Sequence, residues 1–412
     1  MSIHPTPLSI GIIGAGIGGL AAAALCAQAG HRVTLIERFV TPQPLGSGLV
    51  LQPVGLAVLD AIGAEARSFG ANITQMLGHA GKRRVLDVAY HADAPGLAIH
   101  RASLFAILWQ AANAAGIRLE TGAACIAAPL AAGKRMILRD GASPLGPFDL
   151  VVDASGAGSK LSPMQARPLG FGAVWGTVPW PADSDLPRHQ LTQHYQAARH
   201  MAGVLPIGQL PDNPTPHAAV FWSLPRAKLD TWPNQDLRQW KAEVTRLWPQ
   251  MAPFLTTLHS PADLTPARYS HGTLRRPFAE ALAFIGDSAH RASPQLGQGA
   301  NMALLDAFAL TQALRLPLGE ALPRYAQMRR WHVRSYQALS AAFTPMYQSA
   351  STVLPALRDH LLAPLAALWP INRILTALVS GTLLPPIAGM DWPKVLDSTA
   401  QGASLAKRKS DA

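Results

Sequence analysis

The chain has 412 residues, 49% of them hydrophobic and 14% charged, and a formal charge of +11. That is enough apolar chain for two sizeable cores and excludes a disordered protein. Two cysteines, Cys26 and Cys125, both in apolar surroundings, exclude a disulfide scaffold and point to a reducing, cytoplasmic compartment, and the scattered basic residues exclude the common nucleic-acid modules.

The first residues, "MSIHPTPLS", lack a charged n-region, so no secretory signal peptide is expected. "LSIGIIGAGIGGLAAAALCAQAGHRVTLIERF" then predicts a strand, a tight glycine turn, an alanine-rich helix and a second strand ending in Glu37, which is a βαβ unit. "PLGSGLVLQPVGLAVLDAIG" predicts a loop and a short apolar helix, followed by strand-like pieces between Lys82 and Tyr90. A further helix is expected to begin near Arg101, and the chain returns through "FDLVVDASGAGSK", a strand running into a small-residue turn. From Phe171 the texture changes to alternating strands with Pro and Gly turns and one helix, "DLRQWKAEVTRLW", which predicts a sheet with a helix laid on it. Six of the ten tryptophans fall there (Trp175, Trp180, Trp222, Trp232, Trp240, Trp248); they either line an aromatic pocket or, as tryptophans in a sheet more often do, fill its core.

Glycine-rich chemistry returns after Leu282, and from Pro323 onward the chain reads as helical. The apolar stretch "LLAPLAALWPINRILTALVSGTLLPPIAGM" is broken by prolines and Arg373, so no transmembrane helix is expected; packing, a homodimer contact and a peripheral membrane contact all remain open roles. Basic residues gather at Lys82, Arg83 and Arg84, at Arg275 and Arg276, and at Lys407, Arg408 and Lys409.

Gly14, Gly16 and Gly19 form a G-x-G-x-x-G pattern between a strand and a helix. Gly14 permits the turn, Gly16 lets a pyrophosphate approach the backbone, Gly19 lets the helix pack on the strand, and the N–H groups around Ala15, Ile17 and Gly18 face the anion. Glu37, ending the next strand, suits a ribose hydroxyl. A dinucleotide site follows from these residues.

The segment 286–307, "GDSAHRASPQLGQGANMALLDA", resembles the second FAD fingerprint of the flavoprotein aromatic hydroxylases, the family of para-hydroxybenzoate hydroxylase and its single-component relatives. The resemblance implies an α/β fold: a Rossmann-like, GR2-type FAD-binding domain built from residues 1–170 and 276–335, an inserted mixed β-sheet substrate domain over 171–275, and a helical C-terminal region with a basic tail over 336–412. It implies FAD as cofactor, with Gly286 and Asp287 on the ribityl side and Gly297, Gly299, Ala300 and Asn301 in the turn facing the flavin ring. By the same likeness Arg38 lies along the adenosine and Arg101 reaches the FAD phosphates or ring. Gly299 precedes apolar residues at helical spacing and so starts a helix whose N–H groups would favour negative charge on a reduced flavin, in agreement with the resemblance.

The implied activity is monooxygenation of a small aromatic or otherwise electron-rich substrate by O2 through a flavin C4a-hydroperoxide, with NADPH or NADH as reductant. A flavin halogenase, an isoprenoid-type reductase and a noncatalytic flavin-binding protein stay open, because the family's middle Asp-Gly motif is replaced by "VVDASGAGSK", with Ser155 in the acid's place and Asp153 two residues earlier. No catalytic base can be named: Val50 stands where some relatives carry a histidine, and His194, Tyr195 and His217 read as surface or core residues. Asp287, Ser288 and His290 lie too close together on one strand-to-loop transition to form a nucleophile triad. No metal site is expected, and a monomer or homodimer is.

Overall fold

The computed structural model describes residues 6–42 and 46–392, so the basic cluster at Lys407 to Lys409 lies outside the described residues. The first sheet has six strands in the order Phe278–Ala279, Leu282–Phe284, Leu150–Asp153, Ser9–Ile13, Arg32–Ile36 and Arg118–Glu120. All neighbours are parallel except the edge strand Phe278–Ala279. Strand alternation sends Ile10, Ile12, Val33, Leu35, Leu150 and Val152 toward the helix Ile17–Gln28. It sends Ile13, Ile36, Val151 and Phe284 toward Ile137 and Phe148 of a small antiparallel meander on the other face. Burial on both faces explains why these strands read as unbroken apolar runs.

The helix Ile17–Gln28 is buried from Gly19 through Cys26 because it is wedged between the helices Arg101–Ala114 and Gly299–Ala313. An all-round buried helix carries no polar stripe, and alanines keep it thin enough to fit. The carboxyl ends of the parallel strands, at Ile13, Ile36, Asp153 and Phe284, gather four turns at one edge, the place where open α/β sheets bind ligands.

The second sheet has eight strands in the order His290–Arg291, Thr265–Thr273, Arg167–Pro179, Asn213–Pro225, His200–Leu210, Gln190–Gln196, Gln75–Ala80 and Arg83–Ala89. It therefore draws two strands from far upstream, Gln75–Ala80 pairing parallel with Gln190–Gln196. The helix Leu237–Leu247, capped by Asp236 accepting from the N–H groups of Arg238 and Gln239, lies on one face. Trp180, Trp222, Trp232, Trp240 and Trp248 fill the layer between, as the sequence suggests, whereas Trp175 points to the opposite face.

The long helix Leu318–Tyr347 begins five residues before Pro323. Pro323 is the sixth residue of this helix and removes one bond of the ladder, the one that would reach the Gly319 carbonyl, and the helix continues through it. Short helices Val353–Leu357 and Ala363–Ala366, joined by a π-helical turn at Arg358–Leu362, lead to Ile371–Ser380. Among the described residues no single helix is long and apolar enough to cross a membrane.

Candidate FAD and substrate site

The turns at the carboxyl edge of the first sheet open onto a cavity of about 1160 Å³ that continues under the second sheet. A pocket for one small ligand is roughly 300–1,000 Å³, so this space lies above that range. Gly14 has φ +101°, and a Cβ added there would come within 2.7 Å of the Ala154 carbonyl oxygen. Gly19 lies behind the turn, where an added Cβ would meet the Gly14 carbonyl oxygen at 1.8 Å. A Cβ on Gly16 or Gly299 meets nothing within 4 Å, and both residues line the cavity. The backbone of each is thus bared to a ligand at the N-terminal end of a helix, Ile17–Gln28 and Gly299–Ala313 respectively.

Of the residues singled out from sequence, Gly14 to Gly18, Glu37, Arg38, Arg101, Gly286, Asp287, Gly297, Gly299 and Ala300 all line this cavity. Glu37 is held in place by accepting from the Ala15 N–H at 2.8 Å and the Phe39 N–H at 3.1 Å, which leaves lone pairs for a sugar hydroxyl. Arg38 is exposed and lies over the Phe39 ring, 4.6 Å from its centroid. Arg101 starts its helix as expected; its exposure is to the cavity, and its charge interacts with that of Asp287. Gly297 has φ +61° and Gly286 likewise +61°, so both turns depend on the left-handed conformation that glycine adopts at little cost.

Two of the expected contacts act behind the wall instead. Gly19 sets the turn, and Asn301 is fully buried, accepting from the Gln52 N–H at 2.8 Å and donating to the Val50 and Gly297 carbonyls at 3.1 and 3.0 Å. Asn301 ties the start of its helix to the segment carrying Val50 and so positions the cavity wall. Converting it to aspartate would face two carbonyl oxygens with a carboxylate; loss of about 2–4 kcal/mol in a urea titration is expected, with weakened FAD retention. An unchanged midpoint would remove this role from Asn301.

Residues 8–337 match the family described as FAD binding domain. The chain belongs to this family of FAD-dependent monooxygenases. Its relatives include a probable 2-heptyl-3-hydroxy-4(1H)-quinolone synthase, AqdB2, of Rhodococcus erythropolis, 27% identical over 80% of this chain and 86% of that one. Another is the 3-hydroxybenzoate 6-hydroxylase of Klebsiella oxytoca, 24% identical over 76% of this chain and 82% of that one. The fold matches that of 2-methyl-3-hydroxypyridine-5-carboxylic acid oxygenase, with a TM-score of 0.74 at 20% identity over 91% of this chain and 96% of the other.

In this flavoprotein the departure at Ser155 has a structural explanation. Asp153 is fully buried, and its carboxylate accepts from the Ser155 N–H at 3.0 Å, from the Ser155 hydroxyl at 2.5 Å and from the Ser159 hydroxyl. Ser159 in turn accepts from the N–H groups of Leu161 and Ser162, and the Ser162 hydroxyl donates to the Ser288 carbonyl at 2.6 Å. The acid has moved under the turn and serines hold it, which fixes the cavity-lining segment from Ser155 to Gly158 against the one bearing Asp287.

Ser288 and His290 are likewise structural. The Ser288 hydroxyl donates to the carbonyl groups of Asp153 and Ile285, and His290 Nε2 lies 2.6 Å from Asp306. Asp306 is the hub of a buried cluster, since it also accepts from the Gly286 N–H at 2.9 Å and from Arg329 Nε at 2.7 Å. Burial alone would raise the Asp306 pKa, but His290 and Arg329 hold it down at about 2. Arg329 also reaches His332 Nδ1 at 3.3 Å, and burial together with that guanidinium lowers the His332 pKa from 6.5 to about 3.

Between pH 6.5 and 3 the unfolded chain therefore binds a proton at His332 that the folded chain refuses. Stability should fall as pH drops through this window, by up to about 1.4 kcal/mol per unit from this residue, whereas Asp306 adds acid sensitivity only below its ordinary carboxylate range. Urea midpoints of the FAD-loaded protein are expected to be level above pH 7 and to decline below 6.5. A midpoint that does not move between pH 7 and 5 contradicts the assignment.

Under the second sheet the cavity wall is mainly apolar and aromatic, with Trp175, Tyr195, Phe221, Met346 and Tyr347 among its residues; Gln193 and Arg358 also line it, the Arg358 guanidinium 4.9 and 5.0 Å from the centroids of the Tyr195 and Tyr347 rings. Trp175 donates to the Tyr269 hydroxyl at 2.8 Å, and burial raises the Tyr269 pKa to about 12. Tyr195, buried and donating to Gln193 at 3.0 Å, faces the cavity, while His194 next to it on the strand stacks on Trp248 on the opposite side. Among the described residues no histidine lines the cavity, and His217 is buried elsewhere with Nδ1 at 2.6 Å from the Thr215 carbonyl. Tyr269 was not legible as cavity wall in the sequence, and nothing there separates Trp175 from the five tryptophans of the core, because pairing between distant strands decides which face each one takes.

Proposed function

We propose that this monooxygenase inserts one oxygen atom of O2 into a lipophilic aromatic substrate and uses NADPH or NADH to reduce its FAD. The carrying observation is the apolar, aromatic compartment that continues from the FAD cradle, walled by Trp175, Tyr195, Phe221 and Tyr347. Bound FAD supplies electron transfer from the nicotinamide nucleotide and activation of O2. The residues of the chain bind and orient: helix-start N–H groups at Gly16 and Gly299 face negative charge, Glu37 and Asp287 accept from sugar and ribityl hydroxyls, and the aromatic wall excludes water from the reacting atoms. Relatives named for quinolone and hydroxybenzoate chemistry favour fused or substituted aromatic rings, and the family match favours oxygenation over halogenation or reduction.

The test is to purify the protein, confirm bound yellow flavin, and follow NAD(P)H and O2 consumption with phenols, quinones, indoles, alkylquinolones and polycyclic aromatics. Substrate-stimulated consumption with an oxygenated product is expected. A colourless preparation that takes up no FAD refutes the cofactor reading, and a yellow protein inert across the panel refutes catalysis on such rings. Asp287→Ala should weaken FAD retention at least tenfold with little change in the stability of the cofactor-free protein, measured by flavin fluorescence titration.

A further inference from the structure

Eight exposed large apolar side chains fall within residues 353–374: Val353, Leu357, Leu361, Leu365, Leu368, Trp369, Ile371 and Ile374. Val353, Leu357, Leu361 and Leu365 recur every four residues. On a regular α-helix such a row drifts by about 40° per step; the π-helical turn Arg358–Leu362 has more residues per turn and takes up that drift, so the four stay in one stripe. The second helix, Ile371–Ser380, turns away from the first by 102°, and Trp369, 73% exposed, stands at the bend. Arg358 is withdrawn from the stripe: it is buried and donates to the Met346 and Ala197 carbonyls at 2.9 and 3.2 Å and to Asp359.

Cations border this apolar face. The strand Arg83–Ala89 packs against the π turn and both helices, and the Thr376 hydroxyl donates to the Ala89 carbonyl at 2.8 Å. Lys82, Arg83 and Arg84 at the head of that strand are all exposed, as is Arg373, with Arg84 paired to Asp87 at 2.7 Å. The sequence beyond Trp392 adds Lys394, Lys407, Arg408 and Lys409 against Asp397 and Asp411. Leu365 and Ile371 both belong to the exposed face and line the cavity, so the face adjoins the substrate compartment.

We propose that the bent pair of C-terminal helices lies in the interface of an anionic lipid bilayer and that the substrate enters the cavity beside Leu365 and Ile371 from the lipid. Short apolar helices with a bordering aromatic and basic rim suit a position in the plane of the membrane surface. The cationic hairpin adds attraction to acidic headgroups. The entry step rests on the monooxygenase reading above; the docking itself does not.

The full-length, FAD-loaded protein is to be floated with vesicles of phosphatidylcholine alone and of phosphatidylcholine with phosphatidylglycerol. Binding to the anionic vesicles is expected. Leu361→Glu with Leu368→Glu should lower the bound fraction roughly tenfold with FAD content unchanged, and Lys82→Glu with Arg83→Glu should weaken binding to the anionic vesicles. Failure of the wild type to float with either vesicle overturns the proposal. So does a dimer in gel filtration that the leucine variant converts to a monomer, since a second copy then covers the face. Flotation is read without turnover, so its failure is separate from failure of the proposed reaction; where flotation succeeds, equal turnover of a bilayer-dissolved substrate by wild type and the leucine variant overturns the entry route alone.

Discussion

Replacing Asp306 with asparagine is expected to cost about 3–5 kcal/mol of stability and most of the bound FAD, although the two side chains have nearly the same shape. Asp306 is fully buried and is the anion of a cluster that holds Arg329 and His290. Removing the charge leaves the Arg329 guanidinium, itself 2% exposed, without its counter-ion in a medium that solvates it poorly. The flavin effect has a separate route: Asp306 accepts from the Gly286 N–H, and Gly286 sits at φ +61° immediately before Asp287. Loosening that N–H frees the turn that presents Asp287 to the cavity. Urea titration and flavin content of the purified variant give the two readouts. A second change distinguishes charge from shape: Asp306→Asn with Arg329→Met removes both charges and should recover part of the lost stability, because a buried pair replaced by apolar groups is often neutral while a broken pair is not. If the double variant is less stable than Asp306→Asn alone, the cluster is not held by charge.

Asp306 also shows where sequence reading stops. It stands in the same stretch as Gly286 and Gly299, and nothing in its apolar surroundings distinguishes a hub from an ordinary helix acid; its partners lie 16 and 23 residues away in the chain. The glycine turns were legible because their chemistry is local: strand, turn and helix follow within a few residues, and the spacing itself states the conformations required. Asn301 was legible as important but not for its actual part, since only the fold brings the Gln52 N–H and the Val50 carbonyl to it across some 250 positions. Ser155 was legible as a departure, and its meaning needed the geometry that sets its hydroxyl on Asp153. The second sheet resisted most, since its edge strands Gln75–Ala80 and Arg83–Ala89 pair with segments more than a hundred residues on or close the edge themselves, and no local pattern records such pairing.

The glycines of the first turn separate folding from cofactor binding. Gly16→Val is expected to leave the thermal stability of the cofactor-free protein within about 0.5 kcal/mol of wild type, because φ at this residue is −80° with an extended ψ and an added Cβ meets no atom within 4 Å. The same side chain projects into the space where a pyrophosphate must approach the helix N-terminus, so FAD affinity should fall at least a hundredfold in a fluorescence titration. Gly19→Ala should do the reverse in order of cause. Its Cβ would lie 1.8 Å from the Gly14 carbonyl oxygen, a backbone atom that cannot swing aside, so helix and turn must part before any ligand is considered. Loss of about 3 kcal/mol, at the upper end of what overpacking costs, with little soluble protein, is expected. The pair is decisive because the two residues are three apart on one helix start. If Gly16→Val binds FAD as wild type does, the pyrophosphate does not lie at this helix, whatever the glycine pattern suggests; if it unfolds the protein, the open space at Gly16 has a structural use that its surroundings do not reveal.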